Sequence, residues 1–148
     1  MKVTPLSSYL GAEIRGLDLE HLDDAQFEQV NRAFLDHQIL VFRDQALSPE
    51  GQLAFSKRFG PLDIHVLNQY NHPDYPEIFI LSNEVRDGKP LGIADGGSYW
   101  HSDFAFRQQP AKTTILNSRT LPPEGGNTLF INMYQTYDEL DETFKQSL

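Results

Sequence analysis

The chain has 148 residues, room for one domain with a real core, and its 39% hydrophobic and 11% aromatic content suits a folded globule. It contains no cysteine, which excludes disulfides, thiolate catalysis and cysteine-based zinc sites and leaves His, Asp and Glu as the metal-ligating types. The net charge of −9, from 12 Lys+Arg against 21 Asp+Glu, repels phosphate backbones and argues against nucleic acid as a partner.

No stretch approaches the ~20 apolar residues that span a bilayer. Met1-Lys2-Val3-Thr4-Pro5 lacks the apolar region of a secretory signal, so no membrane partner is expected and the cytoplasm is the expected location. Glycines and prolines are scattered with no linker-like cluster, and no internal repeat is present, so residues 1–148 read as a single domain.

The first predicted element is a helix from about Asp23 to His37, with Phe27, Val30 and Phe34 at helical spacing and Ala33 broadening the face. Asp23 is its expected N-cap, with Gln26 three residues on completing a capping box. Ile39-Leu40-Val41-Phe42 reads as a short buried strand. Ser48-Pro49-Glu50 opens a second helix, Ser at N-cap and Pro at N1, and Gly60-Pro61 closes it. Strands are then expected at Glu77–Leu81, Thr113–Asn117 and Thr128–Ile131, separated by Gly/Pro-rich turns. A last helix is expected from about Met133 to Gln146, with Met133, Tyr137, Leu140 and Phe144 on one face. Helices first and short strands after them predict an α+β fold with a β-rich core. Three or four strands cannot close a barrel or sandwich, so the expectation is the front half of a longer domain.

The chemistry centres on Tyr99-Trp100-His101-Ser102-Asp103. On a strand, side chains i and i+2 share a face, so the His101 imidazole and the Asp103 carboxylate would converge. With a second histidine such a pair makes the 2-His-1-carboxylate facial triad of non-haem Fe(II) oxygenases, which leaves positions open for cosubstrate and O₂. Taken alone, the motif reads sooner as a buried hydrogen bond between neighbours than as a metal site. The double glycine Gly125-Gly126 could suggest phosphate binding, but the G-x-x-x-x-G-K-[ST] pattern is absent. Gly92 and Gly96-Gly97 precede the motif, where they serve either a mobile loop over a site or ordinary turns.

Trp100-His101-Ser102-Asp103 is followed by Phe106 and Pro110, and then by Leu121-Pro122-Pro123-Glu124-Gly125-Gly126-Asn127-Thr128. This ordered series resembles the W-H-[ST]-D…F-x-x-x-P…L-P-P-x-G-G-[DN]-T pattern of the taurine/chlorophenoxyacetate (TauD/TfdA) family of Fe(II)- and 2-oxoglutarate-dependent dioxygenases. Gly11-Ala12-Glu13-Ile14, Ile39–Arg43 and Phe55–Leu62 resemble that family's opening segments, so the resemblance covers essentially the whole chain. It implies a double-stranded β-helix (jelly-roll, cupin-like) core with flanking N-terminal helices, here apparently truncated. It implies His101 and Asp103 as iron ligands and Thr128 as a contact to the 2-oxoglutarate carboxylate. A strand threonine chosen for β-propensity is the plainer reading of Thr128.

His65 matches a substrate-contacting histidine of the taurine-type members, against the simpler reading of a surface or core histidine. Where those members carry a tyrosine three residues later this chain has Asn68, and where they carry an asparagine three residues before the tryptophan it has Gly97. Taurine itself is therefore not the expected substrate, and Asn68 and Gly97 are the expected points of divergence in the substrate site. His21, His37 and His72 carry no motif and read as helix-surface or loop residues.

The family's second iron-binding histidine and its cosubstrate-gripping arginine lie well past the first motif, and no His or Arg here has the matching context. The implied activity is hydroxylation of a small organic acid (a sulfonate, sulfate ester or aryloxyacetate) coupled to decarboxylation of 2-oxoglutarate to succinate. Fe(II) is the cofactor, 2-oxoglutarate and O₂ are the cosubstrates, and a homo-oligomer is the implied assembly. Two alternatives stay open: a non-catalytic truncated module that binds or oligomerises, and a metallo-cupin with non-oxidative chemistry.

Overall fold

The computed structural model describes residues 1–148, which fall into two units, one made of Met1–Gln45 with Ser118–Leu148 and the other of Ala46–Asn117. In the first, β1 (Lys2–Pro5) and β2 (Ala12–Arg15) pair antiparallel, with Val3 opposite Ile14. The chain crosses through α1 (Asp24–His37) to β3 (Leu40–Phe42), which pairs parallel to β2, Ala12 opposite Leu40. The sheet order is β1-β2-β3. A parallel pair needs such a crossover, and a helix supplies it. Ala12 and Ile14 project from one face of β2 into the core with Leu19, Val30 and Ala33. Glu13 projects from the other face, where Arg15 and Arg43 both pair with it.

Helix α1 is set by the cap its sequence predicts: Asp23 accepts from Gln26 N–H at 2.7 Å and the Gln26 side chain accepts from Asp23 N–H at 3.0 Å. Strand β3 is half-buried rather than buried, and it starts one residue later than expected. The predicted final helix is two short ones, α3 (Met133–Asp138) and α4 (Glu142–Lys145). The break has a local cause: Asp141 takes extended backbone and accepts from Phe144 N–H at 2.9 Å, starting a new helix instead of continuing the old one.

In the second unit, α2 (Pro49–Lys57) begins where Ser48 Oγ accepts from Gly51 N–H at 2.9 Å. It ends at Lys57, and tight turns carry the chain to Gly60. Phe55 and Leu47 are the buried hydrophobic side chains here. Arg86–Pro90, one of the Gly/Pro-rich turns after Leu81, is the tip of a hairpin, β4 (Val85–Arg86) and β5 (Lys89–Pro90), whose central Asp87 and Gly88 both have positive φ, as a tight two-residue connection requires.

The three later strands do not form ladders. Glu77–Leu81 makes only isolated bridges, Phe79 to Asn71 and Leu81 to Ile93. Along 111–117 burial alternates, with Ala111, Thr113, Ile115 and Asn117 half-buried and Lys112, Thr114 and Leu116 exposed, yet no neighbouring strand bonds to the segment. Residues 128–131 are exposed and outside any ladder. The structure is thus α+β, with ladders confined to a three-stranded and a two-stranded sheet. No helix is long and apolar enough to cross a membrane.

Candidate functional site

His101 and Asp103 converge as their spacing predicts, although not on a strand: the chain enters a turn at Asp103. His101 Nε2 stands 3.2 Å from Asp103 Oδ1. The imidazole Nδ1 lies 2.8 Å from the Tyr99 carbonyl oxygen. A carbonyl can only accept, so Nδ1 carries a proton, and Nε2 faces the carboxylate as an N–H donor in the charged ring or as a lone pair in the neutral one. Two electron-rich atoms facing each other at this distance repel unless a cation, a proton or a metal ion, sits between them. The other carboxylate oxygen, Oδ2, accepts from the Thr114 hydroxyl at 2.5 Å. Both ligand-type side chains are a little over two-fifths exposed.

Gly97 closes on the same ring. Its φ is +82°, and a Cβ there would lie 3.2 Å from His101 Cε1. The position therefore acts by leaving room for the imidazole. Phe104, next to Asp103, has φ +54°, a left-handed conformation unusual for a bulky residue, within the turn that starts at Asp103. The Arg107 guanidinium lies 4.3 Å over the Phe104 ring and pairs with Asp63.

His65 belongs to this aromatic group: its ring stacks on Phe79 at 4.1 Å and meets Phe104 at 6.0 Å. The Leu67 N–H lies 3.1 Å from His65 Nδ1, which is therefore the acceptor, leaving Nε2–H as a donor. Asn68 heads a short 3₁₀ turn, Asn68–Tyr70, and is exposed. Thr128 lies in the other unit, also exposed. Thus His101, Asp103 and Gly97 are brought together, and His65 joins their unit through Phe104. No group of three or more His, Asp or Glu side chains gathers anywhere in the chain. Sequence reasoning missed the Tyr99 carbonyl, the Thr114 hydroxyl and the Gly97 contact; none has a local sequence signature.

The sequence model of the "Taurine catabolism dioxygenase TauD, TfdA family" matches residues 2–148. The chain belongs to that family. It is 35% identical over 97% of its length to an (S)-phenoxypropionate/alpha-ketoglutarate-dioxygenase of Sphingobium herbicidovorans, covering 49% of that protein. It is 33% identical over 97% of its length to an alpha-ketoglutarate-dependent 2,4-dichlorophenoxyacetate dioxygenase of Cupriavidus pinatubonensis, covering 54% of it. Among solved structures, AAD-2 in complex with Mn(II) and N-oxalylglycine superposes with a TM-score of 0.73 and 31% identity, over 99% of this chain and 49% of that one. The TauD/TfdA chain described here thus spans about half the length of the relatives it matches.

Proposed function

We propose that the protein is a Fe(II)- and 2-oxoglutarate-dependent dioxygenase that hydroxylates a small organic acid, of the aryloxyalkanoate type that the two relatives are named for. The observation that carries the reading is the approach of His101 Nε2 to Asp103 Oδ1 at 3.2 Å, with Nδ1 held by the Tyr99 carbonyl. Two ligand atoms about 2.1 Å from one metal ion and at right angles to it lie about 3.0 Å apart, so the pair suits adjacent corners of an octahedral ion. A ligating histidine ordinarily donates its second N–H to a carbonyl or carboxylate, as Nδ1 does here.

In this reading His101 Nε2 and Asp103 Oδ1 hold Fe(II), which when bound supplies the oxidative chemistry that consumes 2-oxoglutarate and O₂. The Tyr99 carbonyl fixes the ring, and Thr128 contacts the 2-oxoglutarate carboxylate. His65 directs Nε2–H toward the anionic group of the substrate, braced by Phe79 and Phe104. Asn68 and Gly97 replace the larger groups expected in taurine-type members, which favours a substrate other than taurine. Residues 1–148 supply the N-terminal part of the domain, and the protein works as a homo-oligomer.

The test is an anaerobic titration of the whole protein in which these residues occur with Fe(II) and 2-oxoglutarate. A visible charge-transfer band that disappears in His101→Ala supports the reading. A folded protein that binds Mn(II) or Zn(II) without ever giving the band with 2-oxoglutarate would instead favour non-oxidative chemistry. A protein that binds neither metal nor 2-oxoglutarate would favour a non-catalytic module.

A further inference from the structure

Asp103 has two carboxylate oxygens with separate tasks. Oδ1 faces His101 Nε2 at 3.2 Å, and Oδ2 accepts the Thr114 hydroxyl at 2.5 Å. A carboxylate accepts only, so the proton of that bond belongs to threonine. A hydrogen bond from a neutral donor to an ionised acceptor at this length is strong enough to fix the carboxylate plane. Thr114 lies on the exposed face of 111–117, between Lys112 and Leu116. The segment is itself anchored, because Asn117 Nδ2 donates to Gln52 Oε1 of α2 at 3.1 Å.

We propose that Thr114 is a positioning residue that keeps Asp103 a single-oxygen metal ligand by occupying its second oxygen. The proposal rests on the reading of His101 and Asp103 as metal ligands and extends it. A free carboxylate can take a metal through one oxygen or both. If both were used, one of the positions that cosubstrate and O₂ require would be lost. Holding Oδ2 in a hydrogen bond disfavours that second metal bond and orients Oδ1. Partners of this kind, one step removed from the metal, typically change affinity by about 10–100-fold when removed. Thr113 lies on the opposite, half-buried side of the segment.

The experiment is Mn(II) titration of the whole protein, followed by the electron paramagnetic resonance of free Mn(II), with water-proton relaxation reporting the waters left on the bound ion. Four proteins are compared: unsubstituted, Thr114→Val, Thr114→Ser and His101→Ala. Thr114→Val keeps the size of the side chain without the hydroxyl. It should weaken Mn(II) binding about 10–100-fold and lower the relaxation enhancement, since a second carboxylate oxygen displaces a water. Thr114→Ser should restore both, and all four should show the same circular dichroism. Unchanged affinity and relaxation in Thr114→Val, with binding lost in His101→Ala, would overturn the role of Thr114 and leave the metal site standing. A serine variant as impaired as the valine variant would also overturn it, because the hydroxyl would not be the operative group. Equal binding by His101→Ala, or no saturable binding by the unsubstituted protein, would overturn the metal reading and the role of Thr114 with it.

Discussion

Replacing Gly97 by alanine should damage the site and the fold by two separable routes. The backbone route comes from φ of +82°, where an L-residue costs about 1–2 kcal/mol more than glycine. At about 2–4 °C per kcal/mol for a domain of this size, the melting temperature should fall by roughly 2–8 °C. The steric route comes from the new Cβ, which would stand 3.2 Å from His101 Cε1, inside ordinary contact distance. The imidazole must yield by a few tenths of an ångström. It is held at Nδ1 by the Tyr99 carbonyl at 2.8 Å, so it swings rather than slides and carries Nε2 away from its place beside Asp103. Sites of this kind tolerate displacements of only about 0.5 Å, so Mn(II) affinity should fall as well. Gly88→Ala is the control: its φ is +74°, but nothing lies within 4 Å of the added carbon. The assay is Mn(II) binding and thermal denaturation of both variants side by side. Comparable thermal losses with affinity lost only in Gly97→Ala are expected. Equal affinity in the two variants would refute the claim that Gly97 acts through the His101 ring.

Asp23→Ala removes the capping box of α1 and should destabilise the protein by about 1 kcal/mol, read as a shifted denaturant midpoint with an unchanged slope; no shift would mean that tertiary packing alone sets that helix start. The exposed Asp18–His21 pair predicts a pH effect. The hydrogen bond to Asp18, then its charge, raises the His21 pKa above the ordinary histidine range. The stabilisation this gives is present below that range and is lost as pH rises through the raised value. Ring-proton chemical shifts of His21 should therefore titrate at a lower pH in Asp18→Asn, with the difference shrinking at high salt. An unchanged midpoint would mean that the pair does not persist in solution.

Apart from β3, which pairs with the distant β2, the parts of the fold that the sequence predicted correctly are those stabilised by near neighbours. Asp23 with Gln26 and Ser48 with Gly51 are bonds across three residues, so the beginnings of α1 and α2 could be read directly. The Asp87-Gly88 tip is equally local. Asp141 was local too, but it lay in an acidic run that the 3.6-residue period passed over. β1 carries no signal because Lys2–Pro5 is exposed throughout, and β2, although Ala12 and Ile14 alternate with Glu13 and Arg15, is only four residues long. The site divides in the same way. The convergence of His101 and Asp103 followed from an i, i+2 spacing, whereas Thr114 reaches Asp103 across 11 residues and Asp63 reaches Arg107 across 44.

The later strands failed for a different physical reason. A strand is defined by its partner's hydrogen bonds, and β-propensity measures how well side chains suit a half-buried pleat rather than whether one exists. The period-2 burial along 111–117 shows that the sequence specifies such a pleat, with Ile115 and Thr113 turned in and Leu116 turned out. What is missing is a neighbour to complete the ladder. The same shortage appears in burial: every hydrophobic side chain in the buried core lies at or before Phe55, while Trp100, Leu121, Leu129 and Tyr134 are each more than three-fifths exposed. The alternation along 111–117 thus states a demand for a neighbour, while residues 128–131 are exposed throughout. Whether the demand is met is a property of pairing, which no window along these residues contains.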